Sequence, residues 1–597
     1  NNLQNNITLE QDLRFVTPGL RFDGHIGYDT YNFSQIKHYQ QPDRWYANGR
    51  DKETGEIIFD RIFPMSPMKQ SSANNGSRRF FVDLHLGYNR DFGKNNVGAN
   101  LKYTYDNYIT TQNIGDDIKN SVSRKNLSFA GQVLYNYDYR YFADVNFGYN
   151  GSENFADGHR FGFFPAFSVG WNLTREKFME SSANWLNMFK IRYSWGKVGN
   201  DKIFLNGSQI RFPYLYTIDY SGDGVYNFGT PDNPTQSQYT HGMHYTSLAS
   251  NNVTWEVSRK QDVGLDIALF HDKFSLTVDY FNEKRSGIYM QRNFLPGSMG
   301  LESSPWANVG SVKSEGFDGN FRYENRFGEV QLTVRGNLTY SKNTILNYDV
   351  ENNIYPYQYQ TGYRVGQIRG LVAEGLFADY DDIRNHPKQM FGEVMPGDIK
   401  YKDVNGDGVV NDDDQVAIGA TDRPNLIYGL GVSVMWKGFD VNLHFQGAGK
   451  STVLINGKSV WAFSADRYGQ IFSDLVDDRW LDAETAAYLG VPANENPNAT
   501  YPRLVYLQGN ASHNNYRASS YWTRSTSYLR LKNLEIGYTL PRSVLDALRL
   551  QNVRFFIQGA NLLTFSNFKI WDPEMGSSNG EAYPLTKSFT AGLTVSF

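Results

Sequence analysis

Residues 589–597 read FTAGLTVSF. Phe589, Ala591, Leu593, Val595 and Phe597 alternate with Thr590, Gly592, Thr594 and Ser596. Successive side chains of a strand point to opposite faces, so this stretch has one apolar face and one small or polar face. A transmembrane β-barrel strand needs that division, with the apolar side toward lipid and the other toward the lumen. The stretch predicts a closing barrel strand over 587–597.

The same alternation recurs upstream. Phe80, Val82, Leu84, Leu86 and Tyr88 run into a turn and leave it as Val97, Ala99, Leu101, Tyr103 and Tyr105. Leu127–Tyr137 and Tyr141–Tyr149, Val263–Leu269 and Phe274–Tyr280, and Leu426–Trp436 and Phe439–Phe445 repeat the design. On the last of these strands Asp440, Asn442, His444 and Gln446 form the wet face. One such hairpin is equally compatible with a soluble antiparallel sheet. Their repetition, with few helical interruptions, points to a barrel.

Turn lengths add a second signal. Tight turns fall near 17–19, 92–95, 138–139, 271–273, 327–329 and 437–438, and two longer ones, 174–188 and 541–550, have room for a short helix. The connections between them are long, at 30–78, 108–126, 198–256, 345–425, 449–525 and 566–586. Short turns on one side and long loops on the other is the asymmetry of outer-membrane barrels. The expected division is barrel strands with long loops over 1–345, a loop region over 346–423, and C-terminal strands over 424–597 carrying the large loop 449–525. The count comes to about seventeen strands. Bacterial single-chain barrels use even numbers, so the odd count predicts the C-terminal part of a barrel with an odd number of strands upstream.

Composition fits this reading. The chain of 597 residues has no cysteine, which excludes a disulfide framework and a thiolate zinc site. A net charge of -4 gives no bulk attraction to nucleic acid. Its 41 Tyr and 40 Phe can supply aromatic girdles at two lipid interfaces. Mean hydropathy is -0.54, and no apolar run reaches the ~18 residues of a membrane helix. Barrel strands show only every second residue to lipid, so this average does not argue against a membrane location.

Several segments together resemble the SusC/RagA branch of the TonB-dependent transporters. The most specific is GDIKYKDVNGDGVVNDDDQVAIG at 397–419, followed by Pro424 and by YGLGVSVMWKGFDVNLHFQGAG at 428–449. Others are RFGFFPAFSVGW at 160–171, FKIRYSWGKVGN at 189–200, NVGSVKSEGFD at 308–318, VGQIRGLVAEGLF at 365–377, SYLRLKNLEIGYTLP at 527–541 and FFIQGANLLTFSNF at 555–568. They run in family order from about residue 130, whereas residues 1–130 fit by pattern rather than by motif. The resemblance implies a 22-stranded barrel with an N-terminal plug; no plug or TonB box is legible in this chain. It also implies TonB-dependent import of oligosaccharides or peptides across the outer membrane of a Gram-negative bacterium. The partners it implies are a SusD-like surface lipoprotein, TonB acting through the plug, surrounding outer-membrane lipid, and a dimer of transporter–lipoprotein pairs.

Two constellations are candidates for binding. Asp403, Asn405, Asp407, Val409 (through its carbonyl), Asn411 and Asp414 occupy positions 1, 3, 5, 7, 9 and 12 of a twelve-residue calcium loop, with Gly408 at position 6. Alternating oxygen donors can wrap one hard cation, here a structural Ca2+ stiffening a long loop. The other reading is a solvated Asp/Asn/Gly turn. Tyr355, Tyr357 and Tyr359 in one loop, and Trp461 and Tyr468 in another, could stack on sugar rings or hold peptide side chains; loop packing or an interface girdle is the plainer account. His241 and His244 have no third ligand in view. There is no G-x-S-x-G, H-E-x-x-H or P-loop, so no enzyme activity is expected. A passive porin and a structural or assembly barrel docking outer-membrane machinery remain as rival functions, with a soluble β-rich protein as a distant third.

Overall fold

The computed structural model describes residues 2–115, 117–205, 208–219, 225–228, 238–241, 244–292, 297–299, 304–349, 355–457, 460–463, 472–490, 498–505 and 513–597. Among these, seventeen strands form one sheet. The first eight are β1 (Asn2–Asp12), β2 (Leu20–Tyr39), β3 (Lys69–Phe92), β4 (Asn95–Gln112), β5 (Arg124–Tyr137), β6 (Tyr141–Ser152), β7 (Phe161–Asn172) and β8 (Leu186–Asn200). The rest are β9 (Glu256–Leu269), β10 (Phe274–Gln291), β11 (Trp306–Phe327), β12 (Val330–Asn347), β13 (Leu426–Trp436), β14 (Phe439–Gly449), β15 (Tyr528–Thr539), β16 (Asn552–Ser566) and β17 (Ser588–Ser596). Each pairs antiparallel with its neighbour in sequence, from Ile7 opposite Ile26 at one end to Ile557 opposite Ala591 at the other. Among the described residues no ladder joins β1 to β17. The architecture is a seventeen-stranded antiparallel barrel wall, in the order the alternating pattern predicts.

The turns also fall where expected. β3 and β4 meet at Phe92 and Asn95, β11 and β12 at Phe327 and Val330, and β13 and β14 at Trp436 and Phe439. Gly438 has φ +89°, and a Cβ there would lie 2.7 Å from the Thr539 carbonyl oxygen, so this two-residue turn needs glycine. The two longer connections carry short helices: 3-10 turns at Leu173–Arg175 and Lys177–Ser182, and an α-helix at Arg542–Leu548.

The structure revises one boundary. The expected loop over 30–78 is largely strand, because β2 and β3 stay paired out to Tyr39 opposite Lys69. A separate hairpin, Arg44–Arg50 with Ile57–Phe63, lies beyond that point. The stretch 69–79, KQSSANNGSRR, carries no large apolar residue, so that half of the ladder shows no alternation.

The two faces of the wall differ as the pattern requires. Phe163, Val145 and Ile557 are 58%, 58% and 64% exposed, and among the described residues no second protein layer covers their side. The opposite face is polar and internally bonded. The Arg192 guanidinium bridges Asp266 (2.7 Å) and Asp279 (2.9 Å) across β8, β9 and β10. Arg554 on β16 joins Asp440 on β14 and Glu535 on β15. Charged groups placed this way are at home against water, and the exposed apolar set is at home in hydrocarbon.

Candidate functional site

Two structures can meet a ligand: the polar face of the wall and the loops at its long-connection end. On the wall, side chains directly opposite or diagonal to one another link five strands. His85 lies 3.4 Å from the Asp23 carboxylate and 3.2 Å from the Asn100 side-chain oxygen. Asn100 donates to Gln132 (3.1 Å), and Gln132 donates to Asp144 (3.2 Å). Each is the inward residue of its strand, so period-2 geometry alone brings β2 to β6 into one polar girdle.

The described parts of the connections after β12, β14 and β16 do not hang free. Leu371, Phe391, Ile399, Tyr401, Val410, Ile455, Val460, Trp522 and Phe568 form one buried apolar cluster. It joins the connections after β12, β14 and β16 into a single packed cap. A buried polar network holds the same layer. Asp398, fully buried, accepts from the Met395 N–H (2.8 Å), the Asn515 amide (2.8 Å) and the Arg503 guanidinium (2.9 Å). Asn514 donates to the Ile399 carbonyl (2.7 Å) and accepts from Gln389 (2.6 Å). Burial of these groups is tolerated because they are bonded to one another. Sequence reasoning missed this network: its bonded members lie up to 125 residues apart and share no local pattern.

The calcium-type loop sits in this cap and closes on its own backbone. The Asp403 carboxylate accepts from the Gly406 (2.7 Å) and Gly408 (2.9 Å) N–H groups, Asn405 from Asp407 N–H (2.9 Å), and Asp407 from Val409 N–H (2.8 Å). Asn411 and Asp414 form a reciprocal capping box around a 3-10 turn at Asp412–Asp414. Buried Asp414 also accepts from Val404 N–H (2.8 Å). The donor types and their order suit a hard cation. In this arrangement, among the described residues, no three His, Cys, Asp or Glu side chains converge as metal ligands.

The structure brings the tyrosine loop onto this segment. Tyr355 and Tyr357 stack with ring centroids 5.4 Å apart. The Tyr355 hydroxyl accepts from the Asn405 amide (3.0 Å), and the Tyr357 hydroxyl donates to the Asp413 carbonyl (2.8 Å). Burial, with Asp414 nearby, pushes the Tyr357 phenol up to about 12, so it stays a donor. Arg369 holds the Tyr357 and Tyr359 carbonyls. Trp461 stacks on Tyr516 (5.5 Å) and meets Trp522 edge-on (6.3 Å), so it packs within the cap. Tyr468 and the side chains of His241 and His244 lie outside the described residues.

Comparison with known proteins accords with this geometry. No family model matches the chain. TonB-dependent receptor P3 of Formosa agariphila is 26% identical over 569 residues, covering 86% of this chain and 52% of the relative. TonB-dependent receptor SusC of Bacteroides thetaiotaomicron is 21% identical over 482 residues, covering 79% and 44%. The chain thus spans about half the length of the curated relatives it matches. Among solved structures, the RagAB peptide importer in its closed-closed state superposes with a TM-score of 0.69 at 18% identity, covering all of this chain and 62% of that one. That likeness supports the barrel fold. With its alternating wall and these relatives in sequence, the chain is similar to the SusC-like TonB-dependent receptors and forms barrel wall of the Gram-negative outer membrane.

Proposed function

We propose that this chain supplies the wall and loop cap of a TonB-dependent importer that brings oligosaccharides or peptides across the outer membrane together with a SusD-like surface lipoprotein. The carrying observation is the pairing of a polar, hydrogen-bonded inner girdle with loops packed into one cap. A passive channel gains nothing from a cap of this size at its loop end. An importer uses one to hold cargo while the way through is opened. No residue has a catalytic role in this reading; the side chains bind, orient and exclude. TonB, pulling from the periplasm, supplies the work. Calcium in the 403–414 loop would have a stiffening role only.

The test is uptake by cells carrying the intact native protein. Labelled oligomer should accumulate only when TonB and the neighbouring lipoprotein are both present. Steady conductance of the intact protein in a planar bilayer, or uptake unaffected by loss of TonB, overturns the proposal in favour of a porin.

A further inference from the structure

At the loop end of β3 to β6 a pocket of about 430 Å3 opens on the inner face. Its lining includes Arg79, Arg124, Lys125, Lys202 and Arg211 on one side of the charge balance and Asp106, Glu153 and Asp201 on the other. Of the carboxylates, Asp106 is charge-paired and the other two bond neutral donors. Asp106 takes the Arg79 fork at 2.8 and 3.2 Å. Glu153 accepts from the Lys125 backbone N–H (3.0 Å), and Asp201 from the Ser152 hydroxyl (2.7 Å). Among the described residues Arg124, Lys125, Lys202 and Arg211 form no ion pair. Arg211 is fixed by donating to the Lys119 (3.0 Å) and Val122 (2.7 Å) carbonyls. Burial and the neighbouring Arg124 charge pull its guanidinium below the usual range, against the opposite effect of Glu153 and Asp117. With Arg79 and Asp106 cancelling, Arg124, Lys125, Lys202 and Arg211 outnumber Glu153 and Asp201, and this excess of positive charge is relieved by an incoming anion.

We propose that this pocket captures the carboxylate or sulfate groups of an acidic oligosaccharide. The guanidinium fork fits planar and tetrahedral oxyanions. The neutral lining favours a sugar over a peptide: Asn126 and Gln209 offer amides to hydroxyl groups. The two lining aromatics have guanidinium groups nearby, Arg124 at 5.9 Å from the Tyr108 ring centre and Arg211 at 4.7 Å from that of Phe212, and so give apolar side chains little to bury against. The inference rests on the import reading only for the inner face being the cargo side.

The experiment measures binding by the intact full-length protein in detergent, without TonB, so that a failure of transport does not affect it. The probes are fluorescent hexagalacturonate, maltohexaose and hexaglutamate. Hexagalacturonate should bind about tenfold or more tighter than maltohexaose, the size of one or more charge-assisted contacts. The preference should vanish in about 1 M salt, where screening acts within about 3 Å. Arg124→Gln with Lys202→Gln should remove it as well. Arg124 makes only a long 3.5 Å contact to Gln209 and lies over Tyr108, so that variant should still fold, checked by unheated gel mobility. Equal binding of maltohexaose, or no effect of the double variant, overturns the proposal. Hexaglutamate binding as tightly as hexagalacturonate overturns its assignment to a saccharide.

Discussion

Replacing Asp398 by alanine should unfasten the loop cap and leave the wall intact. The carboxylate is fully buried and lies 2.7 Å from the Arg503 Nε, whose side chain is 16% exposed. It also accepts from Met395 N–H and Asn515. The substitution strands a largely buried guanidinium and frees an amide and a backbone donor at once. Removing one partner of a buried pair costs about 3–5 kcal/mol. At about 1.4 kcal/mol per decade, the opened cap becomes roughly a hundredfold or more as populated. Proteolysis follows that population when opening and closing are fast relative to cleavage. Limited trypsin digestion of the intact protein in detergent should therefore cut within 346–423 and 449–525 at least about a hundredfold faster. The wall contributes no bond to Asp398, so the unheated band on a gel should keep its fast mobility. Asp398→Asn retains the shape and one acceptor and should fall between the two. Cleavage of the alanine variant within about threefold of the parent, a margin that corresponds to less than about 1 kcal/mol, would refute the reasoning.

Three further outcomes are expected. Ile557→Arg puts a charge on the exposed apolar face and should cost about 2–4 kcal/mol near the bilayer midplane, read as lost folding yield into lipid vesicles, while Gln558→Arg on the opposite face should fold normally. Gly438→Ala should destabilise the β13–β14 turn by about 1–3 kcal/mol, because a positive φ and the Thr539 carbonyl both oppose a Cβ; a lowered melting temperature checks this. Calcium should slow proteolysis at 403–414 in the parent and have no effect in Asp403→Ala; equal protection in both would show that no ion acts there.

The sheet was legible because its signal is local. A strand exposes its two faces to hydrocarbon and to water at every second residue, so Leu84, Leu86 and Tyr88 announce their strand without knowledge of any neighbour. The turns were equally local: Lys437–Gly438 and Phe327–Gly328 sit where the alternation breaks. Register followed, since an offset of one residue would turn Asn100 and Gln132 toward lipid. Where the alternation lapsed into polar residues, from Lys69 to Arg79, the extended β2–β3 ladder passed for loop.

The cap was decided by tertiary structure. Leu371, Ile399 and Trp522 come from stretches with no period, and their burial depends on three connections meeting above the wall. Asp398 reads as an ordinary loop acid until Asn515 and Arg503 arrive from more than a hundred positions away. The tyrosine loop likewise gained its surroundings only when Asn405 and Asp413 packed against it. Period-2 exposure to two solvents is written along the chain, whereas which loop atoms desolvate one another depends on closure over long separations, and that a linear pattern does not encode.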